Sequence, residues 1–207
     1  MLTHPNLVAR LPGGQVEYLL AGAGDPPIVL INGGDGPIEG WYKLLPKLTQ
    51  ASTVLAYNRA GIGRTSKADV AQTSAFVGDQ LRMLLQQLQL PPPWLLVGHS
   101  LGGLHANYFT RAFPHDVCGL VLLDATAAED VEMMERHQGG WQRGLQRALD
   151  QLFDSKAVSE RRNAKASAEL VAEGGSFPTS RSVSSLACRG AACRKWRGPA
   201  DWRTSRR

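Results

Sequence analysis

Short apolar runs alternate with longer stretches of helical periodicity over the first 124 residues. Four of the runs are almost continuous in aliphatic or β-branched side chains: IVLIN (28–32), TVLAY (53–57), WLLVG (94–98) and GLVLL (119–123). Such runs are typical of strands buried on both faces of a parallel sheet. A fifth run, QVEYLL (15–20), predicts an earlier and less buried strand.

The stretches between these runs predict helices. Val77, Leu81, Leu84, Leu85 and Leu88 lie at helical spacing and precede the prolines at 91–93. A second stripe spans 101–112 and ends before Pro114, and a shorter helix is expected around 41–48. Strands and helices in alternation imply right-handed crossovers. The pattern therefore predicts an α/β fold, with a mostly parallel twisted sheet and helices on both faces.

The character of the chain changes after Asp124. We predict an α/β core over 1–126 and a helical, cap-like segment over 127–175. The last segment, 176–207, has only Phe177, Val183 and Leu186 from the large aliphatic residues and phenylalanine. So few apolar side chains do not offset the entropy of ordering, so this segment is expected to be disordered.

Charge is distributed unevenly along the 207 residues. Residues 1–175 hold 15 Lys+Arg and 17 Asp+Glu, whereas residues 176–207 hold 8 Lys+Arg and one Asp. The net charge of +5 thus belongs to the last segment, and no specific nucleic-acid partner is expected. One hypothesis is that the reading frame shifts near Ser176; the alternative is a natural extension. Either leaves the sheet incomplete at its C-terminal edge and open to self-association.

Several other classes of protein have no support in the sequence. No apolar run has the length of a membrane span, and the N-terminus does not resemble a signal peptide. Cys118, Cys188 and Cys193 do not make a disulfide framework or a metal site, and a cytoplasmic location is the default expectation. No cofactor and no metal are expected.

The candidate chemistry centres on Ser100, within WLLVGHSLGG (94–103). Residues 98–102 match G-x-S-x-G between an apolar run and an amphipathic stretch. That context is typical of a strand-to-helix turn that lifts a serine hydroxyl clear of a sheet. Gly98 and Gly102 would allow the turn, and the Leu101 amide could stabilise an oxyanion.

A second glycine-rich loop, INGGDG (31–36), follows another predicted strand. Its amides could complete an oxyanion hole, although a plain glycine loop or a phosphate cradle would look similar. No G-x-x-x-x-G-K-[ST] is present, and GIGRTS (61–66) lacks the last glycine of a dinucleotide fingerprint. A nucleotide site is therefore the weaker alternative.

Four motifs, in order, resemble those of the α/β-hydrolase family between about Val16 and Asp130. They are VLINGGDG, AYNRAGIGRTS, LLVGHSLGG and GLVLLDAT, with Asn32, Asn58 and Thr65 where the family has histidine, aspartate and serine. The resemblance implies ester chemistry on a small acyl compound, with Ser100 as nucleophile and Gly34 as a second oxyanion donor. It also places the family's cap at 127–171.

A serine nucleophile needs a histidine within hydrogen-bond reach. The family places that histidine after the cap, whereas no histidine follows His137 in this chain. His4 lies near the terminus, His99 lies inside the turn, His105 lies on an apolar helix stripe and His115 precedes a strand. His137, in the cap-like segment, is the remaining candidate and a weak one.

Asp124 is the candidate acid, because it ends the strand after the serine helix, at the same sheet edge as Ser100. A helix-capping or loop aspartate is an equal alternative. The sequence therefore predicts a serine hydrolase of small esters, amides or related acyl compounds, weakly active or inactive without its histidine. The alternative is a non-catalytic, ligand-binding relic of the same fold.

Overall fold

The computed structural model describes residues 5–128, 130–131 and 159–174, and the strands at 184–189 and 192–195. The strands, in chain order, are β1 (Leu7–Leu11), β2 (Gly14–Ala21), β3 (Ile28–Ile31), β4 (Val54–Tyr57), β5 (Trp94–His99), β6 (Val117–Leu123), β7 (Ser184–Arg189) and β8 (Ala192–Lys195). The helices are α1 (Leu45–Leu48), α2 (Ser74–Gln87), α3 (Leu101–Ala112) and α4 (Ala164–Glu173), with a 3₁₀ turn at Ile38–Trp41.

The strands form one sheet in the order β1-β2-β4-β3-β5-β6-β7-β8. The pairs from β4 through β3, β5 and β6 to β7 are parallel, and the pairs at both ends of the sheet are antiparallel. The predicted α/β architecture is confirmed. Because parallel strands end at one edge, the residues that follow β3, β4, β5 and β6 meet there.

Helices cover both faces of the sheet. On one face, α2 and α3 bury Leu81, Leu84 and Phe109 against the sheet. On the other face, the 3₁₀ turn and α1 bury Ile38, Trp41 and Leu45. The strands β3 and β4 are buried along their whole length, as near-continuous apolar runs predict.

The helix boundaries follow from local chemistry. Thr73 caps α2, its side chain accepting a hydrogen bond from the Phe76 amide at 3.4 Å. Pro46 lies in the first turn of α1, where no intrahelical partner is required of its nitrogen. A third small cluster packs α4 on α3, with Leu104, Ala168 and Val171 buried between them.

The sheet extends beyond the strands that the sequence predicts. β1 (Leu7–Leu11) lies before the first predicted strand and pairs with β2 in an antiparallel hairpin. Residues 176–207 are expected from sequence to be disordered, but ten of them form strands, since β7 pairs in parallel with β6 and β8 pairs antiparallel with β7. Apolar content predicts burial, whereas the free edge of β6 offers backbone partners whatever the side chains. The rest of 176–207 lies outside the described residues.

No helix in the described part of the chain is long and apolar enough to cross a membrane.

Candidate active site

Ser100 occupies a sharp turn between β5 and α3. Its backbone has φ 50° and ψ −124°, a region that non-glycine residues rarely adopt and that costs about 1–3 kcal/mol. The turn is held by its own backbone: the Ser100 amide donates to the Leu123 carbonyl at 3.2 Å, and the Ser100 carbonyl accepts from the Gly103 and Thr126 amides at 2.9 and 3.0 Å. The side chain is half-buried at the carboxyl edge of the sheet.

Three glycines make room for this turn. A Cβ on Gly98 would lie 2.6 Å from the Gly103 Cα, and a Cβ on Gly102 would collide with the carbonyl oxygens of Asn32 and Ile31. A Cβ on Gly103 would collide with the Ala125 side chain. Gly98 and Gly102 are predicted from sequence to allow the turn. Gly103 is a third such glycine, which lets α3 pack against the segment after β6.

The glycine loop after β3 lies beside Ser100. A Cβ on Gly33 would lie 3.2 Å from the Ser100 Cβ, and one on Gly34 would lie 3.5 Å from Leu101 Cδ2. Within the described residues, neither the Gly34 amide nor the Leu101 amide donates a hydrogen bond. Two amides without an acceptor among the described residues therefore lie close to Ser100, one in the loop after β3 and one at the start of α3.

A buried arginine holds that loop in place. Arg59, 1% exposed, donates through Nη1 to the Asn32 carbonyl at 2.8 Å and through Nη2 to the Gly33 carbonyl. Asn32 itself donates from Nδ2 to the Pro37 carbonyl at 2.7 Å. The loop conformation is therefore set by a side chain from the end of β4 rather than by the glycines alone.

Glu160, from a distant part of the chain, pairs with Arg59 and also binds the loop after β3. The two side chains together are called the Arg59–Glu160 clamp below. Its Oε1 accepts from the Asp35 amide at 2.8 Å and from Arg59 Nη2 at 2.8 Å, and its Oε2 accepts from Arg59 Nε. Burial alone would raise the pKa of Glu160, but the hydrogen bonds from Arg59 and the contact with His105 bring it well below its usual range. The carboxylate therefore stays ionised beside Arg59.

His105 lies beneath this clamp rather than beside Ser100. Its Nδ1 is 2.8 Å from Ser74 Oγ, its Nε2 is 3.6 Å from Glu160 Oε2, and the ring is fully buried. Burial lowers the pKa of His105, and the neighbouring Arg59 lowers it further, against the opposing effect of Glu160. The imidazole is neutral at pH 7, as expected for a core histidine.

The other described histidines do not contact the Ser100 hydroxyl either. His99 lines the site and meets Trp41 edge-to-face with ring centroids 6.3 Å apart, and exposed His115 lies just before β6, at the opposite end of the sheet. Among the described residues, no side chain makes a hydrogen bond with Ser100 Oγ. His4 and His137 lie outside the described residues.

Asp124 lies at the end of β6 with φ 43° and an exposed side chain. No described histidine pairs with its carboxylate. The structure thus places Asp124 at the sheet edge shared with Ser100 but does not join the two through an imidazole.

A cavity of about 900 Å³ opens over the turn. Its lining includes Gly34, Ser100 and Leu101, together with Trp41 and Leu44. The residues Val131, Arg161, Arg162, Ala164 and Lys165 also line it, and they flank the undescribed part of the cap-like segment. The volume is within the range of small-molecule sites.

The GIGRTS loop (61–66) packs around the carboxylate of Glu17 and binds it. A Cβ on Gly63, at φ 54°, would collide with Glu17 Oε2, and that carboxylate accepts from the Arg64 amide and from Asn58 Nδ2, both at 2.8 Å. Burial would raise the pKa of Glu17, and the bonds from Arg64 and Asn58 lower it overall. The loop encloses a protein carboxylate, which leaves no place for a phosphate.

Asn58 and Thr65, which depart from the family pattern, belong to the same network. The Asn58 Oδ1 accepts from the Ile38 amide at 2.8 Å, and Thr65 Oγ1 accepts from the Glu17 amide and donates to the Asn58 carbonyl. Both substitutions keep hydrogen-bonding groups that satisfy buried backbone. They do not touch the cavity.

Arg59, Glu160 and Arg161 carry contacts that the sequence analysis did not assign to them. Arg59 lies inside a quoted motif, and its position directly after a buried strand is the signal that could have marked it. Glu160 and Arg161 lie in no motif, and only the fold brings them to the loop after β3. Within the described residues, no group of histidine, cysteine and acidic side chains could hold a metal ion.

The α/β hydrolase fold family model matches residues 26–164, two thirds of the chain. The chain belongs to the α/β-hydrolase family. The match begins before β3 and reaches the start of α4, so it includes the turn at Ser100, the loop after β3 and the Arg59–Glu160 clamp.

Similar proteins include hydrolases. An uncharacterised protein of Mycobacterium tuberculosis is 34% identical over 125 residues, which are 60% of this chain and 36% of that protein. The 2-hydroxy-6-oxo-6-(2'-aminophenyl)hexa-2,4-dienoic acid hydrolase of Metapseudomonas resinovorans is 32% identical over 93 residues, 44% of this chain and 32% of its own. The chain thus spans about a third of the length of these relatives.

Solved structures give the same fold. The epoxide hydrolase CorEH has a TM-score of 0.55 at 26% identity, covering 58% of this chain and 42% of its own. A putative lipase from Acinetobacter baumannii has a TM-score of 0.59 at 18% identity, covering 83% and 61%. The second likeness, at its low identity, concerns the fold alone.

Proposed function

We propose that the chain carries an acyl-transfer site of the serine-hydrolase kind, acting on a small ester, amide or related acyl compound. Ser100 Oγ attacks the carbonyl carbon, and the carbonyl π electrons move onto oxygen. The Leu101 and Gly34 amides donate to that oxyanion. As the oxyanion collapses, the bond to the leaving group breaks, and the leaving group takes up the proton that Ser100 Oγ gives up and departs as an alcohol or amine. The acyl ester left on Ser100 is then hydrolysed by water, which releases the acid and restores the Ser100 hydroxyl.

The observation that carries this proposal is the strained turn at Ser100 near two amides that have no acceptor among the described residues, with all three residues lining one cavity. A strained residue persists only where its surroundings over-determine it, and such strain clusters at functional sites. An amide N–H that is not used within the fold and belongs to a residue lining a cavity is suited to stabilise a transient negative charge there. The hydrolase relatives agree with this chemistry.

The rate of attack on the substrate depends on how readily the Ser100 hydroxyl loses its proton. Because no described histidine contacts the hydroxyl, the attack is expected to be slow in this chain. Asp124 is proposed as the carboxylate that would orient a catalytic histidine. An oxyanion hole and substrate binding alone retain about 10³–10⁴ of acceleration over water in serine proteases. We further propose that segment 127–175 covers the cavity as a cap.

The test is labelling of the intact chain with a fluorophosphonate probe, read by mass spectrometry of the modified peptide. Labelling at Ser100 that is lost in Ser100→Ala and kept in Ser159→Ala supports the nucleophile. Ser159 is a suitable control because, in the described part of the chain, its carbonyl accepts hydrogen bonds from Asn163 whereas its hydroxyl makes none. A probe that labels other serines equally well, or only after denaturation, contradicts it.

A second candidate function is ligand binding without turnover. The absence of a histidine contact to Ser100 among the described residues favours it. Saturable binding of a small acyl compound, with no labelling and no ester hydrolysis above the Ser100→Ala background, would decide for this alternative.

A further inference from the structure

One wall of the cavity is cationic. Arg161, Arg162 and Lys165 all line it, close together at the start of α4. The same lining includes the apolar side chains of Trp41 and Leu44. A substrate in this cavity therefore meets both apolar and cationic side chains.

Arg161 is oriented by the loop that carries the proposed oxyanion donor. Its Nη2 donates to the Gly34 carbonyl at 3.3 Å, and its Nε lies 2.8 Å from Asp35 Oδ2 in an ion pair. Asp35 therefore holds the guanidinium near the loop and offsets part of its charge. One of the five N–H groups of the Arg161 guanidinium has a hydrogen-bond acceptor among the described residues.

The position of Arg161 is set relative to the reacting atoms. A Cβ on Gly34 would lie 3.0 Å from Arg161 Nε and 3.5 Å from Leu101 Cδ2. The guanidinium therefore lies against the residue whose amide is proposed to hold the oxyanion. A negative group bound by Arg161 would be separated from the reacting carbonyl by a short spacer.

We propose that Arg161, supported by Arg162 and Lys165, binds a carboxylate of the substrate, so that the site selects acyl compounds carrying an acid group a few bonds from the reacting carbonyl. This inference rests on the proposed function and deepens it. A planar guanidinium matches a carboxylate through paired N–H donors, which a neutral ester of the same shape cannot replace. Arg162 and Lys165 line the same cavity, so a carboxylate bound by Arg161 also lies near these two cationic residues.

The experiment compares two ligands that differ in one charge, monomethyl succinate and dimethyl succinate. Binding is measured by titration calorimetry on the full chain carrying Ser100→Ala, so that neither ester is consumed. The monoester is expected to bind about tenfold more tightly than the diester, in proportion to one charge-assisted hydrogen-bonded pair. Its affinity is expected to fall as sodium chloride is raised.

Two variants test whether Arg161 causes the preference for the monoester. Adding Arg161→Gln is expected to lower monoester affinity about tenfold and to leave the diester unchanged. Arg10→Gln, on an exposed position of β1 at the opposite part of the sheet, removes the same charge and is expected to change neither. Because the Arg161 side chain is 66% exposed, its replacement should leave the unfolding midpoint unchanged, which circular dichroism checks.

Equal binding of the two esters, no binding of the monoester, or equal effects of Arg161→Gln and Arg10→Gln would each overturn the carboxylate site. Labelling of Ser100 in the wild-type chain separates this failure from failure of the proposed function. Labelling without preference for the monoester refutes the carboxylate site alone. Preference without labelling refutes the nucleophile and retains the carboxylate site.

Discussion

The substitution Glu160→Gln tests whether the buried ion pair holds the loop beside Ser100. It removes the counter-charge of Arg59, whose guanidinium is 1% exposed, while preserving the shape of the side chain. Removing one partner of a buried pair costs about 3–5 kcal/mol, because the remaining charge stays buried without compensation. The glutamine oxygen still accepts one bond, so we expect a loss of about 3 kcal/mol.

Such a loss is large for a single domain. Domains unfold with about 5–15 kcal/mol, and for chains of this length each kcal/mol lowers Tm by about 2–4 °C. Thermal and urea unfolding of Glu160→Gln, followed by circular dichroism, should therefore show Tm lowered by about 6–12 °C. Fluorophosphonate labelling at Ser100 should slow as well, since Asp35 and Gly33 lose part of their support.

Glu169→Gln is the matched control, because it makes the same change at an exposed position of α4. We expect its Tm to move by about 1 °C or less, as is usual for surface substitutions. Replacing both Arg59 and Glu160 by methionine should recover part of the lost stability, since no charge is then stranded. Equal effects of Glu160→Gln and Glu169→Gln, or no recovery in the double variant, would refute the clamp.

Three further outcomes are expected. The folded state keeps the pKa of His105 below its unfolded value of about 6.5, so the free energy of unfolding is highest above that pH and falls as the pH is lowered through it. In His105→Gln, Tm should therefore change less between pH 8 and pH 5 than it does in the wild-type chain. Gly102→Ala, which collides with Asn32 and Ile31, should destabilise the fold by several kcal/mol, whereas Gly61→Ala, with open space around it at φ 82°, should cost about 1–2 kcal/mol; equal costs in urea titrations would contradict the packing argument. Ser100→Gly should raise the free energy of unfolding by about 1 kcal/mol by relieving the φ of 50°, and a decrease would argue against strain at the turn.

The elements that carried strong local patterns were predictable from sequence. The runs at 28–32 and 94–98 became β3 and β5, and the stripe beginning at Val77 became most of α2, because burial on both sheet faces or on one helix face leaves a direct record in residue order. The two strands at 184–195 left no such record. Their pairing depends on the free edge of β6, which belongs to another part of the chain.

The candidate site divides in the same way. Ser100 and its flanking glycines could be found because a tight turn restricts neighbouring residues, and that restriction is local in sequence. Glu160 could not be found, because its partner Arg59 lies 101 positions earlier and neither residue needs a particular neighbour to make the pair. Its contact with the Asp35 amide also joins segment 127–175 to the loop beside Ser100. Any movement of the segment before α4 that displaces Glu160 would strand a buried cation against the carbonyls of Asn32 and Gly33, so the position of this segment and the shape of the proposed oxyanion hole are energetically coupled.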